Sequence, residues 1–215
     1  MKSASKTKLH LPKDMLLLYK ERKETIRTRL EIFRNVSAND YFYELVYCLL
    51  TPQSSARNAA AVVQILTEKD FQHNTFNPES ILRNKEHYIR FHHTKAEHLQ
   101  LSKERFSEIH IFLQQQHPAF ESREWLVRNV KGLGYKEATH FLRNIGKNDD
   151  LAILDRHILR NLKRYGAIKA IPKTLSRKTY FQIEKQFQQF AQRGGIPINE
   201  LDLLFWSFET GEILK

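Results

Sequence analysis

Lys136 and Asp155 are the two residues whose types and positions point to covalent chemistry. Lys136 falls in the predicted first turn of a helix, where the positive end of the helix dipole disfavours an ammonium group and favours the neutral, nucleophilic amine. Asp155 is predicted to be the N-cap of the next helix, where a carboxylate accepts backbone hydrogen bonds and stays ionised. The pair therefore indicates attack by an amine, assisted by a carboxylate that stabilises developing positive charge.

The helix that carries Lys136 is predicted to be the second half of a helix-hairpin-helix. Gly132 and Gly134 interrupt two amphipathic segments, and Gly146 is predicted to end the second segment in the left-handed conformation. Glycine lets the backbone approach a phosphate closely, and the free N–H groups of a helix's first turn can bind it. Such a turn holds a nucleic-acid backbone without reading its sequence. A Gly-x-Gly turn alone would fit an ordinary helical hairpin slightly better, so the prediction depends on Lys136 and Asp155.

The charge of the chain points to a polyanionic partner. The 215 residues include 35 Lys and Arg against 24 Asp and Glu, a net charge of +11 with histidine counted as neutral. Such an excess favours DNA, RNA or an acidic membrane surface, with nucleic acid first. A basic protein whose charge serves only solubility is the alternative that composition leaves open.

The cysteine count limits cofactor chemistry. Cys48 is the single cysteine, so the chain can form neither an internal disulfide nor a four-cysteine zinc or iron–sulfur site. Its position in an apolar run predicts a buried thiol. Four neighbouring histidines lack a cysteine and paired carboxylates at zinc-site spacing, and so predict no metal site: His87, His92, His93 and His98. We therefore expect no metal and no cofactor.

The hydrophobic periodicity is helical almost throughout, and the predicted fold class is all-α. Residues 41–50 are apolar on nearly every face and predict a buried helix that stops at Thr51-Pro52, because a residue before proline avoids helical geometry. Other helices are predicted at residues 16–33, 56–66, 94–116 and 199–210, from Pro78, from a Ser122 cap to Val130, and from the Asp155 cap to Gly166.

The chain contains no run of about 20 apolar residues of the kind that spans a bilayer. It also lacks the apolar core of a signal peptide at its start, and residues 1–8 are predicted to fray. These observations predict an intracellular, cytoplasmic protein.

Residues 131–160 resemble the core of the helix-hairpin-helix DNA glycosylase superfamily, with its lysine after the hairpin and its aspartate about one helix later. Within that superfamily, Gly-Tyr-Lys-Glu-Ala-Thr-His-Phe-Leu-Arg-Asn-Ile-Gly (residues 134–146) and Leu-Ala-Ile-Leu-Asp-Arg-His-Ile (residues 151–158) are similar to the second family of 8-oxoguanine DNA glycosylase/AP lyases, the compact type of archaea and some bacteria. Residues 49–55, and a chain that stops shortly after Trp206, agree with this resemblance.

The resemblance implies two helical domains with the active cleft between them. Residues 39–148 would form a central helical barrel with the hairpin, and residues 1–38 plus 149–215 would form the second domain. Lys136 would attack C1′ of the damaged nucleotide, form a Schiff base with the opened sugar, and cut the strand on its 3′ side by β-elimination. Asp155 would face Lys136 as its partner, and no redox cofactor would be needed.

The residue types and the resemblance together assign the remaining site residues. DNA would be held by Gly132, Gly134, Gln53 and Arg156, and the damaged base would be recognised by Trp206 and Lys215. Core packing explains Trp206 about as well as stacking on an extruded base does. Gln53, Ser54 or Phe91 would fill the gap that the extruded base leaves.

The expected partner is damaged double-stranded DNA, bound by a monomer. Two alternatives stay open: a glycosylase for a different damaged base, since the hairpin and the Lys–Asp pair are shared across the superfamily, or a non-catalytic, structure-specific DNA-binding module. Lys136 distinguishes an enzyme from a non-catalytic binding module, because a binding module needs no lysine in a helix's first turn, where its charge is disfavoured.

Overall fold

The computed structural model describes residues 12–211 and 213, and within this range it confirms the all-α prediction. Residues 1–8 and Lys215 lie outside the described residues. The helices are α1 (Lys13–Arg34), α2 (Tyr41–Leu50), α3 (Ala56–Glu68), α4 (Glu79–Leu82), α5 (His92–Glu104), α6 (Phe106–Gln114), α7 (Ala119–Asn129), α8 (Tyr135–Asn144), α9 (Arg156–Arg164), α10 (Arg177–Gly194) and α11 (Ile198–Thr210). Two short 3₁₀ turns lie at Ala38–Asp40 and Lys85–His87.

The chain divides into two compact units. One unit comprises the residues up to Ile32 together with those from Asp149, and so contains most of α1 and all of α9 to α11. The other comprises residues 33–148 and contains the end of α1 and α2 to α8. In the part of the chain that the structure describes, no helix has the length and apolar character that crossing a bilayer requires.

Helix α2 is the centre of the unit formed by residues 33–148. Every residue of α2 except Tyr43 is buried, and the helix packs against α3, α5 and α8. Burial of each large apolar side chain contributes about 1.5–3 kcal/mol, so the buried faces of α2 account for much of this unit's core. Cys48 is fully buried here, as predicted, and burial raises the pKa of its thiol.

Helix α11 organises the other unit, where it packs against α9 and α10. The ring of Phe205 is fully buried and stacks on Phe187 of α10 and on Tyr165 after α9. Helix α1 is tied to α11 by Glu200, which accepts hydrogen bonds from the hydroxyl of Tyr19 and from Nε of Arg27. The aromatic core and these polar contacts fix the start of α11 against α1.

The prediction of one helix over residues 94–116 is wrong, because the helix breaks at Arg105. The backbone of Arg105 leaves helical geometry at φ −99° and ψ 5°, and it ends α5 and starts α6. Its guanidinium group donates to the carbonyl of Asn129 at 2.7 Å and binds the carboxylate of Glu108. The break is thus held by a contact with the end of α7, which local periodicity does not report.

The prediction that Ser122 caps a helix is also wrong. Helix α7 starts one turn earlier, at Ala119, directly after Pro118, whose extended backbone occupies the N-cap position. Ser122 is buried inside α7, and its backbone N–H donates to the carbonyl of Pro118 at 3.0 Å. Proline supplies no backbone N–H and has a fixed φ, so it serves as the start of this helix without a side-chain cap.

Candidate active site

The predicted helix-hairpin-helix is present as α7, a tight turn and α8. Val130 ends α7, Gly132 adopts φ +94°, and Gly134 is the N-cap of α8. Gly134 itself is extended, at φ −90° and ψ −178°, a conformation open to any residue. Only Gly132 therefore needs the left-handed freedom of glycine. The free N–H groups at the start of α8 follow directly after this turn.

Gly132 also allows a close approach that the sequence does not reveal. A Cβ atom at this position would lie 2.4 Å from Nδ1 of His98 on α5. Burial, followed by the charge of Lys131, lowers the pKa of His98. The neutral imidazole thus packs under the hairpin turn, a role that was not predicted because His98 and Gly132 are far apart in sequence.

The two helices of the hairpin are joined by a buried arginine. Arg123 of α7 is completely buried, and its guanidinium group donates to the hydroxyl of Thr139 on α8 at 3.3 Å. The same group lies 5.7 Å from the ring centres of Phe120 and Tyr135. Cation–π contacts of this kind stabilise a desolvated guanidinium. The angle between α7 and α8 is thereby fixed.

The far end of α8 is anchored at Gly146, which adopts the predicted left-handed conformation at φ +69°. A Cβ atom there would lie 2.5 Å from Cα of Arg34 at the end of α1, so only glycine fits. Two residues earlier, the amide of Asn144 donates to the buried carboxylate of Glu44 on α2 at 3.1 Å. The C-terminal end of α8 is consequently held against the end of α1 and against α2.

Lys136 is the second residue of α8, as predicted, and lies in its first turn. Its side chain is 22% exposed, and Nζ lies 3.8 Å from a carboxylate oxygen of Glu137. This ion pair is long and involves the adjacent residue, so it leaves Nζ with little fixed orientation. Most of the Lys136 side chain is therefore covered by protein, and part of it remains exposed.

Asp155 is the N-cap of α9, and this prediction is confirmed. Its Oδ1 accepts hydrogen bonds from the backbone N–H groups of His157 and Ile158, each at 2.8 Å. Its Oδ2 accepts a hydrogen bond from the indole N–H of Trp206 on α11, also at 2.8 Å. Three donors thus fix the plane of the carboxylate.

Trp206 is half-buried, and its contact with Asp155 was not predicted from the sequence. Its ring also meets that of His157 edge to face, with the centres 5.8 Å apart. No local signal reports the pairing, because 51 residues separate the two partners. The predicted stacking of Trp206 on an extruded base stays a prediction, as does the predicted role of Lys215, which lies outside the described residues.

Gln53 and Phe91 occupy strained turns on the unit formed by residues 33–148. Both are exposed and both have a left-handed backbone, with φ of 54° and 59°. The turns are linked, because the hydroxyl of Ser54 accepts a hydrogen bond from the backbone N–H of Arg90 at 3.0 Å. Non-glycine residues in this conformation cost about 1–3 kcal/mol and cluster at functional sites.

Helix α9 carries exposed basic residues. Arg156 lies in the first turn, and its Nε donates to Nε2 of His157 at 3.2 Å. Arg160, Lys163 and Arg164 are also exposed, and Arg164 lies 3.9 Å from a carboxylate oxygen of Asp14. These residues thus provide a surface on which a phosphate can be bound.

The neighbouring histidines make protein contacts. His87 is buried, and His98 packs under Gly132. His92 and His93 each place Nδ1 near the carboxylate of Glu79, at 3.5 and 3.0 Å. Among residues 12–211, no group of three His, Cys, Asp or Glu side chains could hold a metal ion.

Lys136 lies in the unit of residues 33–148, whereas Asp155 and Trp206 lie in the other unit. The helical fold, with a hairpin leading into a lysine-bearing helix and a capped aspartate about one helix later, defines the class of helix-hairpin-helix DNA glycosylases. A sequence model of the family described as 8-oxoguanine DNA glycosylase matches residues 23–196, and the chain belongs to this family.

Known relatives are similar over nearly their whole length. An 8-oxoguanine DNA glycosylase/AP lyase of Fusobacterium nucleatum is 39% identical over 207 residues, covering 92% of this chain and 94% of that protein. The crystal structure of the Methanocaldococcus jannaschii 8-oxoguanine glycosylase/lyase with a 15mer DNA containing 8-oxoguanine has a TM-score of 0.84 and 37% identity, covering 94% of this chain and 98% of that one. The 8-oxoguanine DNA glycosylase of Thermotoga maritima has a TM-score of 0.81 and 33% identity, covering 94% and 97%.

Proposed function

We propose that this chain is a bifunctional DNA glycosylase/AP lyase that excises 8-oxoguanine from duplex DNA and cuts the strand 3′ to the abasic site. The observation that carries the proposal is the placement of Lys136, whose side chain is partly exposed, in the first turn of the helix that follows the hairpin. The activity for which the relatives are named, at 33–39% identity over most of the chain, supports it. We propose that it acts as a monomer in the cytoplasm of a prokaryotic cell.

The proposed nucleophile is the neutral amine of Lys136. Nζ forms a bond with C1′ as the bond from C1′ to the base breaks, and the base leaves with the electron pair and takes up one proton from Nζ. The C1′–O4′ bond then breaks, O4′ takes up the second proton of Nζ, and a Schiff base forms between Nζ and C1′. A proton is lost from C2′ to solvent, and the electron pair it leaves expels the 3′ phosphate by β-elimination, which cuts the strand.

The proposed partner is the carboxylate of Asp155. Positive charge develops on the sugar as the base leaves, and a fixed negative charge stabilises that transition state. The two backbone N–H groups at the start of α9 and the indole N–H of Trp206 fix the carboxylate beforehand. A preoriented group costs no reorganisation when the charge appears.

DNA is proposed to bind through its backbone at two places. Gly132 and Gly134 bring the amides of the hairpin to a phosphate, and Arg156 supplies charge from α9. Gln53 and Phe91 lie on turns that are linked through Ser54 and are proposed to fill the gap left by the base. For the extruded base itself, we propose contact with the ring of Trp206 and with Lys215.

The test is covalent trapping by borohydride, which reduces the Schiff base to a stable adduct. The protein is incubated with a duplex carrying a single 8-oxoguanine, with the same duplex carrying guanine, and with the same duplex carrying an abasic site. We expect adducts with the 8-oxoguanine and abasic duplexes and none with guanine. Adducts with the abasic duplex alone would overturn the 8-oxoguanine assignment and direct the search to other lesions, and no adduct with any duplex would overturn the enzymatic proposal.

A further inference from the structure

Lys95 of α5 carries a buried ammonium group whose three hydrogens are all donated. The side chain is nearly completely buried. Nζ donates to the carbonyls of Leu50 and Pro52, each at 2.7 Å, and to the hydroxyl of Ser54 at 3.1 Å. These acceptors lie at the end of α2 and in the turn that follows it. Lys95 therefore binds the end of α2 and both residues that flank Gln53 in the turn.

Burying a lysine ammonium group is unfavourable, because the group loses its hydration. Its burial is tolerated only where the group is well hydrogen-bonded. Burial lowers the pKa of Lys95 to about 8. The positive charge of Lys136 also lowers this pKa, and the negative charge of Glu137 raises it. An apolar side chain would fill the same space without this cost. What an apolar side chain cannot do is hold carbonyl groups that a helix end leaves without intrahelical partners.

The turn that Lys95 binds has a strained backbone at Gln53. Gln53, at its tip, is exposed and has φ +54°. Ser54 accepts hydrogen bonds from both Lys95 and the backbone N–H of Arg90, and so connects the ammonium group to the second strained turn, at Phe91. Left-handed non-glycine residues persist only where surrounding contacts determine the backbone. Lys95 supplies those contacts for the first turn directly and for the second through Ser54.

We propose that Lys95 is a positioning residue that holds Gln53 and Phe91 together in the arrangement in which they enter the duplex when the damaged base leaves it. The proposal rests on the proposed glycosylase function. Lys95 acts through the two turns, and its amine is not a nucleophile, because its three hydrogens are committed to protein acceptors. It therefore matters for extrusion of a base, whereas an abasic site has no base to extrude.

The test compares Lys95→Met, which keeps the length and apolar stem but donates no hydrogen bond, with Lys103→Met. Lys103 is a matched control on the same helix: its Nζ donates to the carbonyl of Asn74 at 2.6 Å and lies over the ring of Phe71, away from both turns. Lys95→Arg restores the charge and the donors. Each variant is measured for single-turnover excision of 8-oxoguanine, for lyase activity on a preformed abasic duplex, and for amide hydrogen exchange.

We expect Lys95→Met, which removes three charge-assisted hydrogen bonds, to slow 8-oxoguanine excision by about tenfold or more. Lyase activity on the abasic duplex should stay within about twofold of the wild-type rate. The amides of Ser54 and Arg90 should exchange faster, while those of α8 are unchanged. Lys103→Met should alter neither activity, and Lys95→Arg should recover most of the excision rate.

An equal loss of excision and lyase activity in Lys95→Met would show a general structural role and overturn the proposal. Unchanged exchange at Ser54 and Arg90 would overturn it as well, whatever the activities. Wild-type protein that lacks activity on both duplexes would refute the proposed function instead, and the exchange measurement would still decide whether Lys95 holds the two turns.

Discussion

The carboxylate of Asp155 divides its two oxygens between two helices. Oδ1 caps α9, and Oδ2 accepts the indole N–H of Trp206 from α11 at 2.8 Å. The proposed catalytic carboxylate and the proposed base-recognising ring are thus joined by one hydrogen bond. Movement of Trp206 on contact with a base would be transmitted directly to Asp155.

Asp155→Asn separates the charge of this residue from its role as a cap. Asn is as good an N-cap as Asp, so capping alone would leave stability nearly unchanged. Its side chain offers one oxygen and one NH₂ group, however, so an amide that caps α9 turns its NH₂ toward the donor of Trp206. We expect excision to fall by orders of magnitude and the free energy of unfolding to fall by about 1 kcal/mol. Single-turnover kinetics and urea denaturation measure the two effects.

Trp206→Phe provides the control for that interpretation. Phenylalanine keeps an aromatic ring but removes the N–H donor, so Asp155→Asn should cost less stability in the Trp206→Phe background than in the wild type. The double-mutant cycle isolates this coupling. Additive stability losses would show that the hydrogen bond between the two residues contributes nothing to folding.

Lys136→Gln tests the nucleophile. Glutamine keeps a polar side chain of similar length but cannot form a Schiff base. We expect loss of base release, strand cutting and borohydride trapping, with affinity for the 8-oxoguanine duplex retained. Lys178→Gln, which removes an exposed lysine from α10, is the charge-matched control and should trap like the wild type. Trapping of Lys136→Gln at the wild-type yield would exclude Lys136 as the nucleophile.

Gly132→Ala tests the hairpin turn. The new Cβ requires an unfavourable left-handed backbone, at a cost of about 1–2 kcal/mol, and it would collide with His98. We expect lower stability and weaker DNA binding, measured by denaturation and fluorescence anisotropy. Adding His98→Ala should recover the part of the loss that the collision causes, but not the backbone part. If the double variant is no more stable than Gly132→Ala, the His98 contact does not explain the glycine.

Arg156→Ala tests phosphate binding by α9. The logarithm of the binding constant should fall linearly with the logarithm of salt concentration, with a slope of about −0.9 per neutralised phosphate. Removing Arg156 should reduce that slope by about 1. Arg193→Ala is the control, since Arg193 bonds the carbonyl of Gln189 on its own helix, α10, and its slope should match the wild type. A wild-type constant that is insensitive to salt would contradict binding through phosphates.

The lowered pKa of Lys95 predicts that the stability of the folded chain depends on pH. The pKa is about 8 in the folded chain and 10.5 for an ordinary lysine, so between these values the folded state binds fewer protons than the unfolded state. The contribution of this group to the free energy of unfolding therefore rises as the pH increases from about 8 to 10.5. Denaturation measures the free energy of unfolding at pH 7 and at pH 10. Between these two pH values, that free energy should rise more, or fall less, for the wild type than for Lys95→Met. Identical pH dependence would mean that the pKa of Lys95 is not lowered.

Features that depend on a few adjacent residues could be predicted from the amino-acid sequence. The helical class follows from periodicity, the hairpin from Gly132 and Gly134, the end of α8 from Gly146, and the Asp155 cap from hydrogen bonds to N–H groups two and three residues away. Helix dipoles and caps act within one turn, so the surroundings of these residues are encoded in their neighbours. The position of Lys136 in the first turn of α8 was predictable for the same reason.

Contacts between residues that are distant in the chain became visible in the folded structure alone. The break at Arg105 is held by a hydrogen bond to a carbonyl 24 residues away. Lys95 donates to the carbonyl of Leu50, 45 residues earlier in the chain, and Trp206 donates to Asp155 across 51 residues. Each of these side chains is compatible with an ordinary place on its own helix. Its partner is set by how the helices pack, and packing depends on the shape and burial of many side chains at once rather than on the pattern of any one segment.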